Sequence, residues 1–447
     1  MGILEIIALL PWLLLNPLLA NSGRFPETSR IWTLCWVVVL PYITVLLIAV
    51  SFPYSYSYPR NEWVTALVIG IIEIYAFALY VSFRKGMQLP SVNIEPTIFS
   101  LYLSYTALAL SLVEFAINPS SRLTNDLLTN REIQSGIIGT ISKVLSGASL
   151  FCFQVAITQF LLSETGGSNN KKVRKSKLLY LKLMGNAFPY VSIAIITLLT
   201  GNRQYAFFGI FLFILTGIFL RGVRFIFNPA FLLSVILIAF LGVGLFFIRN
   251  GASTGRQDEF LINVMTLREK AWNPFSNHYE LNSTGMLIYS YYGIEYNVLS
   301  ATIDGKISVD EPFISTAPIL YRRLQGPFGL PNPLTIMDNV SHDLQAQLNS
   351  FGVVWPTMFG AFYLEFGWVT FIVYSILILT GIVFFGYMRR YYISQQVLLI
   401  GICAAIVFGI QYCITAENFG AFYLLILLSP GSWFIKTNVI RAAGRNT

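Results

Sequence analysis

Long apolar stretches recur along the chain, separated by short polar ones, and this pattern predicts membrane-spanning helices. A bilayer core takes about 20 apolar residues per helix. Scanning at that length marks about eleven segments: 3–20, 31–52, 63–83, 97–117, 136–163, 180–200, 204–220, 226–248, 358–388, 395–415 and 418–437. Pro11 and Pro17 predict that the first is kinked or only partly inserted, and 136–163 is long enough to tilt or project. One long polar interruption, 249–357, splits the chain. The organisation read from this is 1–248 with eight helices and a basic loop at 164–179, the large loop 249–357, and 358–447 with three more helices. The spans before and after the basic loop do not match in spacing, so no internal repeat of the kind common in transporters is present.

Composition strengthens the membrane reading. At 447 residues a soluble chain would form about three domains, yet only 11% of residues are charged and 55% are hydrophobic. Mean hydropathy is +0.65. A soluble protein carries about a quarter charged residues, so this chain cannot coat a water-facing surface. Disorder, coiled coil, collagen and a disulfide scaffold are excluded on the same ground. The four cysteines, Cys35, Cys152, Cys403 and Cys413, all sit in apolar runs and read as packing residues.

The net charge of +8 is a matter of where the cations lie. Lys and Arg collect at cytoplasmic ends of spans. Lys171, Lys172, Arg174, Lys175 and Lys177 place their loop inside, and alternation then also places Arg24, Arg30, Arg84, Lys85, Arg221, Arg224, Arg389, Arg390, Lys436, Arg441 and Arg445 inside. The short outside loops hold only Arg60, Arg122 and Arg131. Net charge is thus a topology signal, and the basic run lacks interleaved aromatics, so no nucleic-acid partner is expected. The N-terminus lacks the basic n-region of a cleavable signal peptide.

The same alternation puts 249–357 outside. Its stretch 249–352 holds ten acidic against seven basic residues, and it is dense in aromatic and apolar residues. It is therefore expected to fold over the mouth of the bundle, as long loops with function do. Asp258 to Trp272 reads as a helix, and Gly326 to Pro333 as a turn-rich lid or strap.

Several chemistries are missing. There is no phosphate-cradling Gly-x-x-x-x-Gly-Lys-Ser/Thr loop, no Gly-x-Ser-x-Gly elbow, and Gly242-Val243-Gly244 lacks a third glycine. The only histidines, His278 and His342, have no partner at ligand spacing, so no metal site and no cofactor is expected.

What remains are polar residues near the outer boundary. Arg203 follows Thr200-Gly201-Asn202 and opens a span. It either snorkels or meets an anion at a helix N-terminus, where amide dipoles favour negative charge. Arg322 and Arg323 form a second candidate, though adjacent residues seldom face the same way. Arg256 and Arg268 follow as loop arginines that either face water or help bind an anion. His342, Asp343 and Glu365 are candidates for a general base, or for caps and packing. Tyr289, Tyr291, Tyr292 and Trp355 could stack on sugars or simply pack. Glu73, Glu114 and Lys143 lie within spans, as structural pairs or as parts of a polar pathway. Arginines, aromatics and an outside loop together suit a ligand with an anionic group and a sugar body. Outside the cell such a sugar donor must arrive already activated, as a polyprenyl-pyrophosphate glycan does.

Three segments resemble the oligosaccharide repeat-unit polymerase family, the Wzy-type O-antigen polymerases. Thr200-Gly201-Asn202-Arg203 resembles a Gly-Ser-Arg-type helix entry. Tyr289-Ser290-Tyr291-Tyr292-Gly293 resembles a Tyr-rich stretch of the family's main periplasmic loop. Trp355 to Gly367 resembles a Tyr-Thr…Phe…Tyr-x-Asp-Phe-Gly segment, with Trp355-Pro356 and Glu365 as departures. The likeness covers most of 180–390. It implies an all-α polytopic GT-C-like bundle in the bacterial inner membrane with its active site facing the periplasm. It also implies that a growing glycan is transferred from its polyprenyl pyrophosphate onto a new lipid-linked repeat unit, so that the lipid-linked oligosaccharide is both donor and acceptor. Membrane lipid and a chain-length regulator protein are the further partners implied. Under this reading Arg203, then Arg322, Arg323, Arg256 and Arg268, would neutralise the pyrophosphate, and His342, Asp343 or Glu365 would orient or deprotonate the acceptor. A lipid-linked oligosaccharide flippase, or the related O-antigen ligase reaction, are the alternatives.

Overall fold

The computed structural model describes residues 2–21, 26–51, 60–83, 92–117, 137–163, 172–199, 204–222, 225, 227, 232, 295–316, 318–348, 357–388, 393–409 and 435–439. Among them the chain is helical apart from two short strands. The helices are α1 (Ile3–Asn21), α2 (Pro26–Ser51), α3 (Glu62–Phe83), α4 (Ile98–Ile117), α5 (Ile137–Ser163), α6 (Lys172–Leu199), α7 (Gln204–Arg221), α8 (Glu295–Asp304), α9 (Pro318–Phe328), α10 (Pro333–Leu348), α11 (Met358–Leu364), α12 (Trp368–Met388) and α13 (Ile393–Phe408). Strands β1 (Val92–Pro96) and β2 (Ile435–Val439) pair antiparallel, with Val92 opposite Val439 and Pro96 opposite Ile435.

Among the described residues six helices are long and apolar enough to cross a membrane: Trp32–Val50, Glu62–Ser82, Ile98–Ile117, Ile141–Leu161, Leu181–Leu198 and Trp368–Gly386. Ile3–Leu14 and Tyr205–Arg221 are shorter apolar stretches. The chain is a polytopic, membrane-embedded helical protein, and Ile74, Phe77, Val369, Ile372, Val373, Ile376 and Leu377 are among the apolar side chains it turns outward.

The structure changes two expected spans and lengthens the helix of a third. The expected span 358–388 is two helices, because Glu365-Phe366-Gly367 forms a corner between α11 and α12; Phe366 and Gly367 both adopt left-handed backbone, at φ 48° and 62°. The span expected at 180–200 matches the apolar stretch Leu181–Leu198, and its helix extends back to Lys172, since a helix need not stop where its apolar stretch leaves the hydrocarbon. Residues 435–437, expected at the end of a helix, lie in β2. Apart from 227 and 232, the expected span 226–248 lies outside the described residues, as do the expected helix 258–272 and 418–434. The expected strap 326–333 resolves into the end of α9, a turn at 329–332, and the start of α10.

Two parts of the packing position the site. α3 and α12 run side by side, with Trp63 and Trp368 rings 5.6 Å apart at one end and the Tyr75 hydroxyl donating to Ser375 O at 3.0 Å midway. At the far end Gly386 packs on Ser82 so closely that a Cβ would clash, the small-residue contact that lets membrane helices approach. The second part lies among α4, α5, α6 and α7. Tyr205 donates to Ser146 O at 2.7 Å and shares a hydrogen bond with Ser149 Oγ at 2.5 Å. Tyr190 reaches Tyr205 O and Ala206 O, each at 3.0 Å. These bonds pin the first turn of α7 to its neighbours. The expected packing role holds for the three described cysteines, Cys35, Cys152 and Cys403, which are free and buried.

Candidate functional site

Helices α8 to α11 form a cap over one end of the bundle, where α1 and α3 begin. The α1 end is locked to α3 by an ion pair: Arg60 Nε to Glu5 Oε1 at 2.7 Å and Arg60 Nη2 to Glu5 Oε2 at 3.1 Å, with Gly2 N also on Glu5 Oε2 at 2.9 Å. Glu5 is fully buried, so Arg60 serves a structural charge. The next residue, Asn61, ties α3 to the cap. Its amide donates to Ser300 Oγ at 2.9 Å, and its side chain spans both oxygens of Asp304 at 3.0 Å.

α8 is short and polar, yet every residue from Glu295 to Ile303 is buried. Tyr296 reaches down to Tyr42 O at 3.2 Å, and burial together with the Glu5 charge raises its hydroxyl above the usual range, against a lowering by Arg60. On the other side Val298 and Ala301 pack with Ile307, Val340, Leu344 and Leu364, a small second core that joins α8, α10 and α11. Val340 and Leu344 are one turn apart and set the inner face of α10. His342 and Asp343 therefore fall on its exposed side, open to water.

Glu365 lies at the centre of the cap and is sealed from solvent. Its Oε1 accepts from Ser315 N (3.0 Å), Ser315 Oγ (3.1 Å), Thr316 N (2.8 Å) and Thr316 Oγ1 (2.7 Å). Tyr374 donates to its Oε2 at 2.9 Å. The backbone adds a parallel bridge, Val309 N to Leu364 O at 2.7 Å and Phe366 N to Val309 O at 2.9 Å. Glu365 thus latches residues 309–316 to the α11–α12 corner, and its oxygens are already engaged.

Glu295 is the contrasting group, and the sequence reading passed it by. It opens α8, is 7% exposed, and its Oε2 has no hydrogen-bond partner among the described residues. Burial pushes its carboxyl well above the usual carboxylate range. A buried polar atom without a partner is costly and marks a site worth explaining. The sequence signal was present in Tyr292-Gly293-Ile294-Glu295, where an acid directly follows the Tyr-rich stretch, but only folding reveals that it is buried.

Of the other expected site residues, Arg203, Arg256, Arg268, Tyr289, Tyr291, Tyr292 and Trp355 lie outside the described residues. Arg203 directly precedes the pinned first turn of α7. Arg322 and Arg323 lie on α9, which packs on α10. Within spans, Glu73 is buried with Oε1 unpartnered among the described residues, Glu114 is half-buried and Lys143 is exposed. No group of three or more His, Cys, Asp or Glu that could hold a metal occurs among the described residues. Comparisons with known protein families, curated proteins and solved structures return no match for this chain.

Proposed function

We propose that the chain is a membrane glycosyltransferase that polymerises polyprenyl-pyrophosphate-linked oligosaccharide repeat units at the periplasmic face of a bacterial inner membrane. The observation that carries this reading is Glu295, a buried carboxyl with one oxygen unpartnered among the described residues. It stands in a cap beyond the ends of the bundle helices, directly after the Tyr-rich segment. Reactive groups collected on a cap suit chemistry on a substrate whose lipid tail stays in the bilayer.

In the reaction the acceptor hydroxyl of a new repeat unit attacks the anomeric carbon of the growing chain. The new glycosidic C–O bond forms, the bond from that carbon to the pyrophosphate oxygen breaks, and polyprenyl pyrophosphate leaves. Negative charge builds on the leaving group, so arginines fixed there supply the largest catalytic stabilisation. Arg203 is first in this role, with Arg322, Arg323, Arg256 and Arg268 behind it. Exposed His342 and Asp343 orient the incoming glycan, and Tyr289, Tyr291, Tyr292 and Trp355 stack on its sugars. Glu295, in its ionised form, takes the hydroxyl proton, since the carboxylate of a raised carboxyl is a stronger base. Glu365 holds the cap in shape. Arginines make a metal unnecessary, and EDTA is expected to leave turnover unchanged.

The test is purified protein with a synthetic polyprenyl-pyrophosphate repeat unit, beside Arg203→Ala. A ladder of repeats is expected for the native chain, with a loss on the order of a hundredfold or more in the variant. Absence of a ladder with the matching unit would sink the polymerase reading, and transfer to a lipid A core acceptor instead would favour the ligase. One observation favours a second reading, a lipid-linked oligosaccharide flippase: Glu73, buried in mid-span with an oxygen unpartnered among the described residues, is what a transport pathway would use. Glycan crossing a proteoliposome membrane, abolished in Glu73→Gln, would establish it.

A further inference from the structure

Phe313 and Phe366 both sit in left-handed backbone, at φ 65° and 48°. For a bulky residue this is strained backbone that persists only where the surroundings enforce it. Lys306 shares the conformation, at φ 52°, for a local reason. Lys306 N bonds to Ile303 O and Ile307 N to Thr302 O, the pair of bonds that closes a helix. Neither phenylalanine closes a helix in this way. Phe366 N is bound across the corner to Val309 O, and Phe313 is carried on the segment that Glu365 grips through Ser315 and Thr316.

That grip turns apolar rings outward. Phe313 is 38% and Phe366 40% exposed, while their neighbours Ile314, Ser315 and Glu365 are buried. Burying a phenylalanine ring is stabilising, so the fold forgoes that burial and accepts backbone strain at both positions. The place where this happens is defined by two more rings. Trp63 and Trp368, in the first turns of α3 and α12, are also exposed and lie 5.6 Å apart. Tryptophans at the ends of apolar spans sit at the level of the lipid headgroups. Phe366 stands two residues before Trp368 and continues the outward apolar surface of α12 through Val369, Ile372 and Val373.

We propose that residues 305–316 and the corner 365–367 form a membrane-seated wedge, whose occupant is the lipid surface at the headgroup–acyl boundary of the cap-side leaflet. Phe313 and Phe366 insert there beside Trp63 and Trp368, so the cap is anchored to the bilayer as well as to the bundle. The segment's charges, Lys306 against Asp310 and Glu311, give no excess of cations, so zwitterionic lipid suffices. The inference stands whether or not the chain is a glycosyltransferase.

The experiment places an environment-sensitive NBD label at Phe313→Cys or Phe366→Cys in the full-length chain, in phosphatidylcholine nanodiscs. Cys413 is replaced by alanine, the three buried native cysteines are left, and background labelling is subtracted. Asp338→Cys, on the exposed face of α10, is the water-facing reference. At 313 and 366 we expect blue-shifted emission and severalfold stronger quenching by shallow-doxyl lipid than at 338. Labels at both positions that behave like 338, quenched by aqueous iodide and not by doxyl lipid, would overturn the wedge. The unmodified chain provides a check that needs no variant to fold. A photoactivatable phosphatidylcholine is expected to leave adducts on peptides covering 305–316 and 365–369; adducts confined to the spans would also overturn it.

Discussion

Glu365 and Glu295 are both carboxyls buried in the cap, and their surroundings could hardly differ more. Glu365 has four donor contacts on one oxygen and a tyrosine hydroxyl on the other, whereas Glu295 has an oxygen with no partner among the described residues. Burial is common to both, so burial does not decide what a carboxyl can do. A charge surrounded by amide and hydroxyl donors is stabilised in place and becomes part of the framework. A charge denied such donors is pushed toward its protonated form and keeps its bonding capacity for something else. The cap therefore contains one acid that holds it together and one that keeps an oxygen without a partner among the described residues.

The sharpest way to break this contrast is Glu365→Ala. Each buried donor left unpaired costs about 1–3 kcal/mol, and the Ser315 and Thr316 amides and the Tyr374 hydroxyl all lose their acceptor. A stability loss of about 3 kcal/mol or more is expected, read as a fall in thermal midpoint in nanodiscs. An unchanged midpoint would mean that the cap does not depend on the latch.

Glu295→Gln is expected to do the opposite. It replaces a poorly solvated acid with a neutral amide, so the thermal midpoint should stay level or rise, while polymerisation falls on the order of a hundredfold, as for loss of a general base. Full activity in the folded variant would remove Glu295 from the reaction. Its pH dependence adds a check on the native chain. The folded carboxyl binds its proton more tightly than the unfolded one, whose ordinary value is 4.5. As pH rises from there, the unfolded chain ionises first, and stability falls until the folded group also ionises. The slope is at most about 1.4 kcal/mol per pH unit. It should be present in native protein and absent from Glu295→Gln.

How much of this was legible beforehand follows the reach of each signal. Apolar runs are local, so the expected span 63–83 matches Glu62–Phe83 and 97–117 matches Ile98–Ile117. The corner at Glu365 was hidden because Glu-Phe-Gly sits inside a stretch whose average is still strongly apolar; what breaks the helix is a set of bonds to residues fifty positions earlier. In the sequence Glu365 is a candidate acid because it is a carboxylate near a helix entry, and only the fold distinguishes a latch from a base. Glu295 was missed for the mirror-image reason. Its neighbours in sequence are aromatic, and nothing local says that α8 will be enclosed by the ends of α2 and α3 and by α10 and α11.

The smallest effects probe the latch oxygen by oxygen. Tyr374→Phe strips Oε2 of its described donor, at 2.9 Å, and leaves a buried carboxylate oxygen bare. Thr316→Val, nearly isosteric, removes the 2.7 Å hydroxyl bond to Oε1, but that oxygen keeps the Ser315 and Thr316 amides. If the latch works by satisfying a buried charge, the longer bond matters more, because its loss leaves an oxygen with nothing. Tyr374→Phe should cost about 1.5–3 kcal/mol and Thr316→Val about 0.5–1.5 kcal/mol, the ranges for charged and ordinary hydrogen bonds. Thermal midpoints of the two variants in nanodiscs decide it. The reverse order would mean that Oε1 alone carries the latch and that Tyr374 merely packs against it.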